Sequence, residues 1–350
     1  MQSGLKMVAL AALSLAALPG AGSVAAAEAP VVPGQIKIVL DAAGGTYDLY
    51  ARLVSRHWGK QLPGTPKIIV EYMPGSSGTR ALNYLYQQGP RDGSVIETVN
   101  SAMAFYQRLG QAGIEYDANR LSWIGSLTRA IDAITVFHTA KAQTIEEAKK
   151  TELVLGASGA AGSMATYPTF INNVLGTRFK IVMGYQGGND VLVAMERGEV
   201  DGPGNRPWST WKVICPQWVK DGLITPLVQL SLKKAADLPD VPLLIDLART
   251  EEEREMFHFL SSHTPMEQPF VGPPQLPPAL LAIYRAAFTA MYQNADFLAD
   301  AAAGHMELEP HSGAEVQEIV AGTLATPQPI VDRVKRALGA NLSPAGERKK

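Results

Sequence analysis

The chain has 350 residues, more than one ordinary hydrophobic core accommodates and enough for two units of roughly 100–200 residues each. Hydrophobic residues make up 46% and charged residues 18%, a globular balance that excludes a disordered or fibrous chain. The formal net charge of -2 carries no basic footprint for nucleic acid, and the one basic run, Arg348-Lys349-Lys350, reads as part of a solvated tail over 339–350.

Residues 1–27 read as a secretory signal peptide. Lys6 supplies the positive start, Met7 to Leu18 a short apolar core, Pro19-Gly20 a break, and Ala25-Ala26-Ala27 a small-residue cleavage site. The apolar core is short for a span of ~20 residues, which disfavours a membrane anchor. Cys215 is the only cysteine, so no internal disulfide forms and no lipid-bearing cysteine lies near the signal. The expected destination is the periplasm, as a freely diffusing monomer.

After the signal, strand and helix patterns alternate. Ile36 to Leu40 is β-branched and strand-like; from Asp48 a helical pattern puts Leu49, Leu53, Val54 and Trp58 on one side. Lys67 to Glu71, a helix over Arg80 to Gln88, the Asp92-Gly93 turn and a strand over Val95 to Val99 complete a βαβαβ unit, which favours a parallel sheet. A second unit follows. It has a strand over Ile134 to Phe137, a short helix with Thr144 and Glu147 as a capping box, and a strand at Leu153 to Leu155. Next come a helix over Ser163 to Leu175 stopped by Gly176, a strand over Phe179 to Met183, and a helix over Asn189 to Arg197 stopped by Gly198. Thr225 to Leu230 reads as a strand returning to the first unit, and helical segments follow near 278–292, 295–303 and 313–338. The expected division is lobe 1 over 28–125 plus 226–338 and lobe 2 over 126–225, an α/β chain with a cleft between two lobes.

The loops after the strands share one chemistry. Ala42-Ala43-Gly44-Gly45-Thr46, Pro74-Gly75-Ser76-Ser77-Gly78-Thr79, Gly156-Ala157-Ser158 on to Gly162-Ser163, and Gly184-Tyr185-Gln186-Gly187-Gly188-Asn189 each leave a strand and open a helix. Glycine lets main-chain amides approach a ligand, and first-turn amides are unpaired donors carrying about half a positive charge. Several such ends facing one cleft make an anion site without any arginine. Asp48 suits the start of its own helix and an i, i+4 pair with Arg52 better than a ligand contact. In the loop from Asp201 to Trp208, Arg206 fits a bidentate carboxylate clamp and Trp208 an apolar wall, or else a surface arginine and a packed indole. Asn100 and Ser101 end the third strand and complete the candidate ligand set. That set is Ala43, Gly44, Gly45, Thr46, Asp48, Ser76, Ser77, Gly78, Asn100, Ser101, Ser158, Gly162, Ser163, Tyr185, Gly187, Gly188, Asn205, Arg206 and Trp208.

These runs, with Val70-Glu71-Tyr72-Met73-Pro74-Gly75, Asp92-Gly93 and Leu238-Pro239-Asp240-Val241-Pro242, resemble the solute-binding receptors of tripartite tricarboxylate transporters, the Bug family, in order and spacing from about residue 35 to 245. The resemblance implies a type II periplasmic binding fold, a Venus flytrap. It also implies a ligand carboxylate gripped by the loop after the first strand and by Gly/Ser loops of the other lobe, partly through water. As partners it implies a small organic carboxylate and a permease with large and small membrane subunits. The chain departs from the family at Tyr72 to Gly78, where an Asn-(Arg or Lys)-Pro-Gly-Ala-Gly-Gly pattern is usual, and over Arg249 to Pro269.

Other function classes find less support. No G-x-G-x-x-G or G-x-x-x-x-G-K-[ST] is present, so no dinucleotide or nucleoside triphosphate is expected, and no cofactor or metal. Neither Ser77 nor Ser158 lies in G-x-S-x-G, the six histidines form no H-E-x-x-H, and Cys215 sits beside Pro216 with no nucleophile motif. A periplasmic enzyme is therefore the weaker alternative. A ligand sensor for a membrane kinase would carry the same cleft.

Overall fold

The computed structural model describes Met1 and residues 31–159 and 162–339; most of the expected signal and the end of the tail lie outside the described residues. β1 (Gln35–Leu40) forms because its side chains alternate between two apolar layers. Ile36, Ile38 and Leu40 pack with Trp58, Tyr284, Phe288 and Phe297 on one face, while Val39 packs with Leu82, Leu85, Trp123 and Val316 on the other. α1 (Gly45–His57) leads to β2 (Lys67–Tyr72), and α2 (Thr79–Gln88) to β3 (Val95–Thr98). Both β2 and β3 run parallel to β1, as the βαβαβ reading expects. α3 (Met103–Arg108) and β4 (Ser122–Ser126) follow, and the chain then crosses to the second lobe.

There it forms β5 (Asp132–Phe137), α4 (Ile145–Ala148), β6 (Leu153–Ala157), α5 (Ser163–Leu175), β7 (Phe179–Met183) and α6 (Gly188–Glu196). Two short strands, β8 (Gly202–Pro203) and β9 (Arg206–Pro207), precede α7 (Trp208–Ile214), α8 (Pro216–Lys220) and β10 (Ile224–Leu230). β6 is flanked by β7 and β8, both parallel; β5 is flanked by β10 and β9, both antiparallel. The Phe137 amide donates to Asp201 O at 2.7 Å and stitches the two ladders together.

The remaining elements are α9 (Glu251–Ser261), β11 (Phe270–Gly272), α10 (Pro278–Tyr292), α11 (Ala295–Ala303), β12 (His311–Ser312), α12 (Gly313–Leu324) and α13 (Gln328–Leu338). β11 inserts antiparallel between β3 and β4, giving the order β12-β4-β11-β3-β1-β2.

Two expectations are corrected. The helical stretch 313–338 is two helices, because Pro327 has no N–H to continue α12 and disfavours a helical residue before it. The capping box at Thr144 is half formed: its Oγ1 accepts the Glu147 amide, but the Glu147 carboxylate accepts the amide of Gln143 instead. Elements of the stretch 226–338 also pack away from the six-stranded sheet. β10 pairs along β5, and α9 and α13 share an apolar core with α5, where Phe105 of α3 meets Phe259 at 4.9 Å. Among the described residues, no helix is long and apolar enough to cross a membrane.

Candidate functional site

The first lobe offers a cavity of about 310 Å³ at the carboxyl ends of β1 and β3, lined by residues 40–42, 44–47, 78 and 98–100. The chain enters α1 through Gly44 and Gly45, at φ of 80° and 76°, a left-handed region that side-chain-bearing residues avoid. Asp48 fixes this turn. Its Oδ2 accepts the Gly44 amide at 3.0 Å, its Oδ1 accepts the Tyr72 hydroxyl at 2.7 Å, and Arg52 Nε donates to Oδ1 at 3.0 Å. Burial pushes the Asp48 carboxyl up, yet the Gly44 amide, the Tyr72 hydroxyl and Arg52 outweigh it and hold it below the ordinary value. Asp48 is therefore the clasp of α1, its oxygens already engaged. The first-turn amides of Gly45, Thr46 and Tyr47 remain, on residues that line the cavity.

Asp41 Oδ1 accepts the Gly75 amide at 2.8 Å and ties the second loop to the first. Gly78 lines the cavity; Ser76 and Ala43 are exposed outside its lining, and the side chain of Ser77 lies outside the described residues. Asn100 lines the cavity while its Oδ1 accepts the Ala102 amide. Ser101 turns inward: its amide donates to the Tyr47 hydroxyl at 3.2 Å and its own hydroxyl donates to Glu267. Tyr47 donates to Glu267 at 2.7 Å. Burial raises Glu267 above the ordinary carboxyl range, against the Ser101 and Tyr47 hydrogen bonds that pull it down. Glu97, buried on β3 with both oxygens lacking a partner, is held far above its ordinary value by desolvation and by Asp41.

In the second lobe α5 and α6 open over one loop. The turn from β8 to β9 passes beneath both: a Cβ at Gly204 would fall on the Met164 carbonyl oxygen in the first turn of α5, and one at Gly188 would lie 2.5 Å from Arg206 Nη2. Asp190 repeats the device of Asp48, accepting the Gln186 amide at 3.0 Å. The Arg206 guanidinium is buried, 5.0 Å from the centre of the Trp211 ring, with its Nη1 unpaired. Asn205 is buried with Oδ1 unpaired. The Tyr185 ring packs over Gly156, Ser158 and Gly162 are exposed, and Ser163 is half-buried; residues 160–161 of this loop lie outside the described residues. Trp208 is not a wall of the first-lobe cavity. Its indole is buried, its Nε1 donates to Asp237 at 2.9 Å, and it borders a separate cavity of about 540 Å³ with Lys212, Asp237 and Glu307.

The structure thus gathers Gly44, Gly45, Thr46, Gly78 and Asn100 around one cavity, and Gly188 with Arg206 at a second place. Sequence reasoning passed over Asp41, Tyr47 and Glu267. Tyr47 and Glu267 stand 220 positions apart, and no local spacing signals their hydrogen bond. Among the described residues no group of three His, Cys, Asp or Glu side chains is placed to hold a metal ion.

No protein-family model and no curated protein matches the sequence. Solved structures do match the fold. A TctC solute-binding protein from Polaromonas, determined without ligand, superposes at TM-score 0.64 with 17% identity, over 85% of this chain and 98% of that one. An R. palustris protein with adipate gives 0.62 and 19%, covering 87% and 97% of the two chains. MatC from Rhodopseudomonas palustris, with bound malate, gives 0.59 and 15%, covering 87% and 98%. The chain therefore has the α/β fold of TctC-type periplasmic solute-binding proteins, the type II architecture that the resemblance implies.

Proposed function

We propose that the chain is a periplasmic receptor of the TctC, or Bug, type that captures a small organic carboxylate and delivers it to a tripartite tricarboxylate-type permease without altering it. The observation that carries this reading is the start of α1. Gly45, Thr46 and Tyr47 present first-turn amides on the lining of a 310 Å³ cavity, and Asp48 is held away from it by its own bonds. Such a group of donors at a helix N-terminus favours an oxyanion. Of the acids nearby, burial drives Glu97 and Glu267 toward their neutral forms, while Asp41, itself on the lining, has one oxygen engaged by the Gly75 amide. Fold neighbours of known content hold adipate and malate, which fits the same ligand class. A leader over 1–27, cleavage before Glu28, and action as a monomer belong to this reading.

Thermal unfolding with a panel of dicarboxylates, tricarboxylates and aromatic acids tests it. An acid at about 100 times its dissociation constant adds about 2.7 kcal/mol of stability. A shift with a neutral sugar or an amine, and none with any acid, overturns the carboxylate assignment.

A further inference from the structure

The wall of the first-lobe cavity carries groups of opposite demand. The first-turn amides of α1 attract an oxyanion, yet Asp41 lines the same 310 Å³ space with a carboxylate that repels one. Asp48 has both oxygens engaged, whereas half-buried Asp41 has only Oδ1 on the Gly75 amide, at 2.8 Å. Among the described residues, no donor reaches Asp41 Oδ2 and no cation pairs with it. Arg80 passes beside Gly75 but turns its Nη1 to the Pro74 carbonyl. Glu97 on β3 is 1% exposed with both oxygens unpartnered, and the charge acting on it is that of Asp41, not that of any cation. Thr98, a lining residue only 3% exposed, also leaves its Oγ1 unpartnered. An acid that serves structure alone is expected to meet a cation of its own chain. Here the free oxygen belongs to a residue on the cavity wall, so the missing cation has to arrive with the guest. A hydroxyl would answer one lone pair and leave the charge; an ammonium answers both.

We propose that Asp41 is a specificity-determining residue that accepts the ammonium of an amino acid whose carboxylate lies on the α1 amides. The inference rests on the carboxylate reading above and narrows it from acids in general to amino carboxylates. Donors for the anion and an acceptor for the cation then share one cavity, of a volume ordinary for a small ligand.

The test compares molecules that share a carbon skeleton: aspartate with malate and succinate, and alanine with lactate and propionate. Each is titrated by calorimetry and thermal shift into the receptor and into Asp41→Asn. Wild type should bind at least one of the two amino acids about tenfold or more tightly than its hydroxy and unsubstituted counterparts. Asp41→Asn keeps an oxygen for the Gly75 amide and removes the charge. It should weaken that amino acid about tenfold or more and strengthen the unsubstituted acid, two changes of opposite sign that a merely distorted cavity does not produce. The ranking on wild type decides the matter even if Asp41→Asn does not fold. Equal affinity for amino, hydroxy and unsubstituted acids, or a preference that Asp41→Asn leaves unchanged, overturns the role of Asp41 and leaves the carboxylate reading intact. Succinate binding that requires added calcium would put a metal ion in the place of the ammonium and overturns it as well. No response of wild type to any carboxylate, amino or otherwise, overturns that reading and the inference with it.

Discussion

Two buried carboxyls on neighbouring elements behave in opposite ways, and the difference is one of partners. Asp48 has three donors, which hold its carboxyl below the ordinary value; Glu97 has none, and burial with Asp41 beside it pushes its carboxyl well above. For Glu97, whose folded value exceeds its unfolded one, the folded chain binds more protons than the unfolded chain between the two values, so stability falls as pH rises from about 4.5. Glu97→Gln, which keeps the shape without the proton demand, should raise stability at pH 8 by about 1 kcal/mol and flatten the decline between pH 5 and 8. Melting curves across that range check this; an unchanged slope would show that Glu97 has a partner in solution. Asp48 has the reverse sign, its contribution being present at neutral pH and lost only as pH falls through its lowered folded value. Its pairing with Arg52 could be read from the i, i+4 spacing, but its bond to Tyr72 could not, since that depends on β2 lying beside β1.

The helix starts decide what the site can hold. Gly187 caps α6 in extended backbone that any residue adopts, and no atom lies within 4 Å of a Cβ built there. Gly187→Leu should therefore leave the ligand-free protein within about 0.5 kcal/mol of wild type. The same change should weaken acid binding by at least tenfold, as read by calorimetry, if the space it fills belongs to the ligand. Unaltered binding would remove α6 from the site. Local elements were largely legible: Gly176 and Gly198 stop α5 and α6 where their left-handed conformations permit, and the strands of both βαβ units stand within two residues of their expected places. The short strands β8, β9, β11 and β12 were not, because two or three residues carry no periodicity and exist only through their neighbours. The order of the glycine loops was plain in the sequence. That Gly204 and Arg206 run beneath two helix starts was not, since it is a property of packing between distant segments.

Between the lobes, Lys212 on α7 joins Asp237 and, across the junction, Glu307, which follows α11; Arg129 and Lys233 reach Glu309. Burial lowers Lys212, but its acidic partners more than compensate and raise it, so this contribution is lost only at strongly alkaline pH. Salt is the effective lever: pairs this exposed are worth ~1 kcal/mol or less and are screened. Acid affinity of wild type should thus fall by up to about fivefold between 50 and 500 mM salt. Glu307→Gln should bind more weakly at low salt and respond less to added salt, a result that equal salt slopes would contradict.

Glu267 belongs to this scale too. Its main chain bonds Leu127 and Thr128 where the chain passes between lobes, and its side chain holds Tyr47 in the opening turn of α1. Turning one lobe about that crossing must therefore either carry Tyr47 along or break a part-buried 2.7 Å bond. On the receptor reading proposed above, the grip on the guest and the pivot of the molecule would be one joint, and opening and letting go a single mechanical act.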